Sequence, residues 1–120
     1  MIRILLVDDE EELVSALSER LTLRGFDVEW VTNGRDAIKS TEEKNYDLAL
    51  LDIKLPGLSG IELKKKLEKI SPDLKYIFMT GHGSQDDFMA GSGEAGKDYY
   101  LAKPLKIDMI VAKINELVKG

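Results

Sequence analysis

Cysteine is absent from this chain. That excludes disulfides, thiol catalysis and a zinc–thiolate site, and it fits a reducing cytosol. His82 is the only histidine. Long apolar runs are missing too: Ile4-Leu5-Leu6-Val7 falls far short of a signal-peptide core or a membrane span, and acids follow at once. Positive charge is in deficit, with a net charge of −5 and a pI near 4.9, which argues against direct nucleic-acid binding. The one basic cluster, Lys64-Lys65-Lys66 with Lys69, is interleaved with Leu63, Leu67 and Ile70. It reads as the solvated face of an amphipathic helix. No linker or low-complexity tract interrupts the 120 residues, so one domain spanning 1–120 is expected, soluble and cytoplasmic.

What is present is a repeated pattern of apolar runs that stop on polar residues. Residues 2–7 read as a buried strand ending on Asp8-Asp9-Glu10, and Leu13, Ala16, Leu17 and Leu21 then mark a helix closed by Gly25 as a left-handed cap. Residues 26–31 alternate Phe26, Val28 and Trp30 with Asp27 and Glu29, the signature of an edge strand with one wetter face. Thr32-Asn33-Gly34 caps a helix over about 35–44. The apolar run 46–51 suits a central parallel strand and stops on Asp52, before a Pro56-Gly57 turn. Ser59 with Glu62 forms a capping box for the next helix, which Ser71-Pro72 ends.

Residues 74–79 make a fourth strand ending on Thr80, and 98–102 a fifth ending on Lys103-Pro104. Between them a helix is expected over 84–95, but Gly91 and Gly93 each cost roughly 1 kcal/mol against Ala, so it should end or loosen by Gly91. Ile107, Ile110, Val111, Ile114, Leu117 and Val118 trace a last helix. Strands alternating with helices describe a parallel α/β sheet with right-handed crossovers. Asp8, Asp9, Asp52, Thr80 and Lys103 then share the carboxyl edge, where such sheets do their chemistry. Taken singly, Asp9 also reads as an N-cap with Glu12, and Asp52 as an acceptor of turn N–H groups. Together they form a phosphoryl-and-metal set.

These residues resemble the receiver domain of two-component response regulators, the CheY-like family, across essentially the whole chain. The resemblance rests on Asp8-Asp9, on Asp52 in Asp-Ile-Lys-Leu-Pro-Gly-Leu-Ser-Gly-Ile-Glu-Leu, on Thr80 with its glycines, and on Tyr100 before Lys103-Pro104. It implies a flavodoxin-like doubly wound (βα)5 fold with strand order 2-1-3-4-5. It also implies phosphorylation of Asp52 by a histidine kinase or histidine phosphotransferase. Mg²⁺ would be bound by Asp9, Asp52 and the backbone carbonyl of Lys54, with Asp8 acting partly through water; Lys103 and the Thr80 hydroxyl would hold the phosphoryl oxygens. Thr80 and Tyr100 are the implied switch, altering the face of the fourth helix, fifth strand and fifth helix toward a downstream protein target. The result is a signal from a protein that catalyses its own phosphorylation and dephosphorylation, and not a turnover enzyme.

Some features depart from the pattern. Lys54 and His82 occupy the variable positions that tune phosphoryl lifetime, and the interval from Thr80 to Lys103 is about one residue longer than usual, before Gly96. The sequence ends at Gly120 with no effector domain, which suggests a stand-alone receiver but would look the same for a domain excised from a larger regulator. A haloacid-dehalogenase-type phosphatase would want an acid where Lys54 stands. Gly91-Ser92-Gly93-Glu94-Ala95-Gly96 matches a dinucleotide fingerprint in letters, but it closes a helical segment instead of opening one. A phosphorylation-independent binding module is disfavoured because no site residue is missing.

Overall fold

Apolar side chains at every position of residues 4–7 and 48–51 need cover on both faces of a sheet, and the fold supplies it. The computed structural model describes residues 1–81 and 99–119. Its elements are β1 (Arg3–Val7), α1 (Glu11–Leu23), β2 (Asp27–Val31), α2 (Gly34–Glu43), β3 (Leu48–Asp52), α3 (Gly60–Ile70), β4 (Lys75–Thr80), β5 (Tyr99–Ala102) and α4 (Ile107–Lys119). The strands pair in parallel in the order β2-β1-β3-β4-β5, the expected flavodoxin-like winding. The expected helix over 84–95, the glycine motif ending at Gly96, the extra residue before it and His82 lie outside the described residues.

Strand periodicity divides the core in two. Leu5, Val7, Ala49, Leu51 and Phe78 point to the face covered by α2 and α3, where Leu63 and Leu67 are fully buried. Ile4, Leu6, Leu48, Leu50, Ile77 and Met79 point to the other, against Leu17 and Leu21 of α1 and Ile110 and Ile114 of α4. Each fully buried Leu or Ile contributes about 2 kcal/mol of transfer free energy.

The helix boundaries follow their caps. Asn33 Oδ1 accepts the Asp36 N–H at 2.8 Å, and Ser59 Oγ accepts the Glu62 N–H at 3.1 Å. Gly25 takes φ +94°, the left-handed value that makes glycine the residue of choice after α1. The capping role open to Asp9 is not realised. Glu10 is the N-cap residue and makes no side-chain cap bond, so the first turn of α1 relies on Glu11 and Glu12 against the helix dipole.

Two surface expectations need correction. Trp30 does not share the buried face of β2 with Phe26: it is 36% exposed, because β2 is the edge strand and Trp30 lies in an open hollow beside Glu11 and Leu13. Lys64 is not fully solvated. Its side chain is 15% exposed, with the ammonium 5.5 Å from the Tyr76 ring centroid, so the aliphatic stem covers core while Lys65, Lys66 and Lys69 face water.

Edge strand β2 is tied to the loop before β3 by Glu29, which accepts a 2.6 Å bond from the Tyr46 hydroxyl and pairs with Lys44. These bonds hold the Glu29 carboxyl below its ordinary 4.5, so their stabilisation is present above that value and is lost as pH falls through the lowered folded pKa. Both partners of the ion pair are partly exposed, and screening keeps the expected loss for Glu29→Gln near about 1 kcal/mol at neutral pH. Urea unfolding at several pH values should show the difference from the parent shrinking in acid.

Candidate functional site

The register of the sheet builds the site. Val7 pairs with Leu51, so the next residues, Asp8 and Asp52, come to the edge of the sheet side by side. Met79 pairs with Asp52 and Ala102 with Thr80, which brings Thr80 and then Lys103 to the same edge. The Lys103 N–H donates to the Thr80 carbonyl at 2.8 Å. Asp8, Asp52 and Thr80 are only 1%, 5% and 6% exposed, a concentration of buried polar groups that a merely structural edge has no need of.

Both buried carboxylates use one oxygen in a local turn and turn the other inward. Asp8 Oδ1 accepts the Glu10 N–H at 2.9 Å, and Asp52 Oδ1 accepts the Lys54 N–H at 3.1 Å. The turn role considered for Asp52 is therefore real, but it occupies half of the carboxylate. Lys103 Nζ lies 3.3 Å from Asp52 Oδ2, 2.9 Å from Glu10 Oε1 and 2.9 Å from Asp8 Oδ2. The Asp8 contact is an ion pair at an angle that makes no hydrogen bond, leaving a buried oxygen without a donor.

Carboxylate oxygens of Asp8, Glu10 and Asp52 lie within 4.8 Å of one another. Burial, and next the charge of Asp8, push the Asp52 pKa up, against the Lys54 N–H and Lys103, which pull it down. Burial opposes the Lys103 ammonium, but Asp8, Glu10 and Asp52 outweigh it and hold its pKa above that of an ordinary lysine. Three carboxylates facing one ammonium leave excess negative charge. The buried oxygens of Asp8 and Asp52, one of them lacking a hydrogen bond, are hard donors that fit a divalent cation.

Other expected residues fall around this centre. Asp9 is exposed and outside the trio, and the Lys54 side chain is exposed. Tyr100 is half-buried, its ring 5.2 Å from that of Phe78 and inclined by 22°, so it packs on the α2–α3 core and is not a surface aromatic. Glu10 is the residue that sequence reasoning passed over. It belongs to the acidic triplet, but which two of three consecutive acids turn inward depends on how the chain leaves β1.

An acidic pocket with a lysine on the carboxyl edge of a doubly wound parallel sheet defines a flavodoxin-like α/β protein with a candidate cation and phosphoryl site. Comparison with known proteins agrees. The family model for the response regulator receiver domain matches residues 4–115. The CpxR homolog of Haemophilus influenzae, a transcriptional regulatory protein, is 39% identical over 119 residues, covering 99% of this chain and 51% of that protein. A CheY-like receiver domain protein from Methanospirillum hungatei JF-1 has a TM-score of 0.89 at 34% identity, covering 99% of this chain and 94% of that one. The response regulator TrrA of Thermotoga maritima, crystallised in complex with Mg²⁺–BeF, has a TM-score of 0.83 at 35% identity, covering 98% and 99%. This chain belongs to the response regulator receiver domain family. It spans about half the length of the curated relatives it matches, and no helix among the described residues is long and apolar enough to cross a membrane.

Proposed function

We propose that Asp52 is the phosphoacceptor, taking a phosphoryl group from a phosphohistidine on a sensor kinase or histidine phosphotransferase. The observation that carries this reading is the Asp52 carboxylate, buried at a strand end, with one oxygen fixed by a backbone N–H and the other 3.3 Å from a lysine ammonium. Asp52 Oδ2 attacks phosphorus in line; the new O–P bond forms as the P–N bond to the donor imidazole breaks, and that nitrogen keeps the electron pair. Lys103 neutralises the phosphoryl oxygens, and the Thr80 hydroxyl is their second ligand. Asp8, Asp9, Asp52 and the Lys54 carbonyl are the proposed Mg²⁺ ligands. When bound, the ion supplies positive charge to the transferring group that the carboxylates alone would repel.

Withdrawal of Thr80 toward the phosphoryl group frees Tyr100 to turn, changing the face made by the helix expected over 84–95, β5 and the C-terminal helix α4, which is offered to a downstream protein. The whole chain acts as one receiver in the cytoplasm, with Lys54 and His82 setting how long the acyl phosphate lasts. As a signalling phosphoacceptor it catalyses its own phosphorylation and dephosphorylation without sustained turnover of a phosphate ester. Mass spectrometry after incubation with Mg²⁺ and acetyl phosphate should find one alkali-labile phosphoryl group on Asp52, absent in Asp52→Asn. A group mapped to Ser59, Thr80 or His82, or steady hydrolysis of a small phosphate ester, would overturn the assignment.

A further inference from the structure

We infer that Glu10 is a positioning residue for this site: in the resting protein its carboxylate holds the Lys103 ammonium, and it must let go when a phosphoryl group arrives. The inference rests on the phosphoacceptor reading above. Lys103 hydrogen-bonds two carboxylates, Glu10 at 2.9 Å and Asp52 at 3.3 Å, so the shorter bond is made to the residue outside the proposed chemistry. A phosphoryl group on Asp52 brings further negative oxygens to the side of Asp52 that Lys103 faces, and the ammonium has only three protons to share.

Of its three partners, Glu10 is the one able to yield. The Asp8 and Asp52 side chains are 1% and 8% exposed and each is tied by a backbone N–H, whereas the Glu10 side chain is 62% exposed. Glu10 is also the N-cap residue of α1 but makes no cap bond with its side chain, which leaves that carboxylate committed to Lys103. An exposed carboxylate exchanges its partner for water at little cost, so its hold is weak and reversible. Glu10 therefore competes with the phosphoryl group for Lys103 and sets how readily the site is charged.

The test compares Glu10→Gln, Glu10→Asp and Glu11→Gln with the parent. Glu11→Gln removes the same charge one residue away from a side chain that does not touch Lys103. At saturating Mg²⁺, Glu10→Gln should be phosphorylated by acetyl phosphate about threefold to fivefold faster and bind beryllium fluoride tighter by the same factor, the upper part of the range an exposed ion pair spans. Glu10→Asp keeps the charge but is one methylene short, and should behave like Glu10→Gln; Glu11→Gln should behave like the parent. Calorimetric titration with Mg²⁺ alone should find affinity changed less than twofold in Glu10→Gln.

A tenfold or greater loss of Mg²⁺ affinity in that variant would make Glu10 a metal ligand instead and overturn the inference. So would equal gains in Glu10→Gln and Glu11→Gln, which would reduce the effect to overall charge. Parent-like rates in Glu10→Gln, with the parent phosphorylated on Asp52, would sink the role of Glu10 while leaving the phosphoacceptor standing. If the parent takes no phosphoryl group on Asp52, both fall together.

Discussion

Gly60→Ala is expected to destabilise the protein by about 3 kcal/mol, an overpacking loss at the upper end of the usual range. A Cβ at this position would lie 2.3 Å from the Asp52 carbonyl oxygen, 3.0 Å from the Asp52 carbonyl carbon and 3.0 Å from Ile53 Cα. All three are backbone atoms of the segment that carries Asp52, and the Gly60 N–H donates to the Ile53 carbonyl at 2.7 Å. No side chain can rotate away, so either the first turn of α3 or the peptide after Asp52 must move. The better helix propensity of alanine, about 1 kcal/mol, does not offset this. Urea unfolding should give the loss, and phosphorylation of Asp52 should slow because its carboxylate is displaced from Lys103. Gly34→Ala is the matched control. Its Cβ would meet the tip of Leu58 at 2.7 Å, a flexible side chain that can give way, and the loss should stay within about 1 kcal/mol. Equal losses at the two positions would mean that backbone contact is not what demands glycine at 60.

The second large effect is expected from Lys103→Ala in the absence of metal. Removing one partner of a buried ion pair typically costs about 3–5 kcal/mol; here Glu10 is exposed and the pocket opens to water, so about 2 kcal/mol is the better expectation. The raised pKa of Lys103 means that its stabilisation is complete below the unfolded lysine value and is lost only as pH rises through the higher folded value. At neutral pH the parent therefore carries all of it. In the variant, Asp8 and Asp52 are left to repel each other, so the deficit should shrink in acid as carboxylates protonate. Millimolar Mg²⁺ should also recover part of it, since a cation binding only the folded site stabilises by mass action. Thermal melts with Mg²⁺ and with EDTA distinguish this from simple loss of packing. A deficit indifferent to both Mg²⁺ and acid would show that Lys103 matters through its methylenes and not its charge.

Much of this molecule is decided locally and was therefore open to reading from the chain. The caps at Asn33 and Ser59 and the left-handed Gly25 involve partners a few residues apart. The fully apolar runs of β1 and β3 by themselves require a sheet covered on both faces. Asp8, Asp52, Thr80 and Lys103 were recognisable as a set because each ends a strand, and parallel strands present their ends on one edge.

What the tertiary structure alone decided is how those ends converge. Pairing of Val7 with Leu51 sets Asp8 beside Asp52, and the turn in which Asp8 accepts the Glu10 N–H swings Glu10 toward Lys103 and leaves Asp9 exposed. Trp30 and Lys64 departed from their patterns for a related reason. A side chain's period names a face, but whether that face is covered, or capped by a ring such as Tyr76, depends on a neighbour distant in the chain. Composition and spacing encode the local free energies that shape each element; the site belongs to interactions between residues up to 95 positions apart, which exist only once the sheet has closed its register.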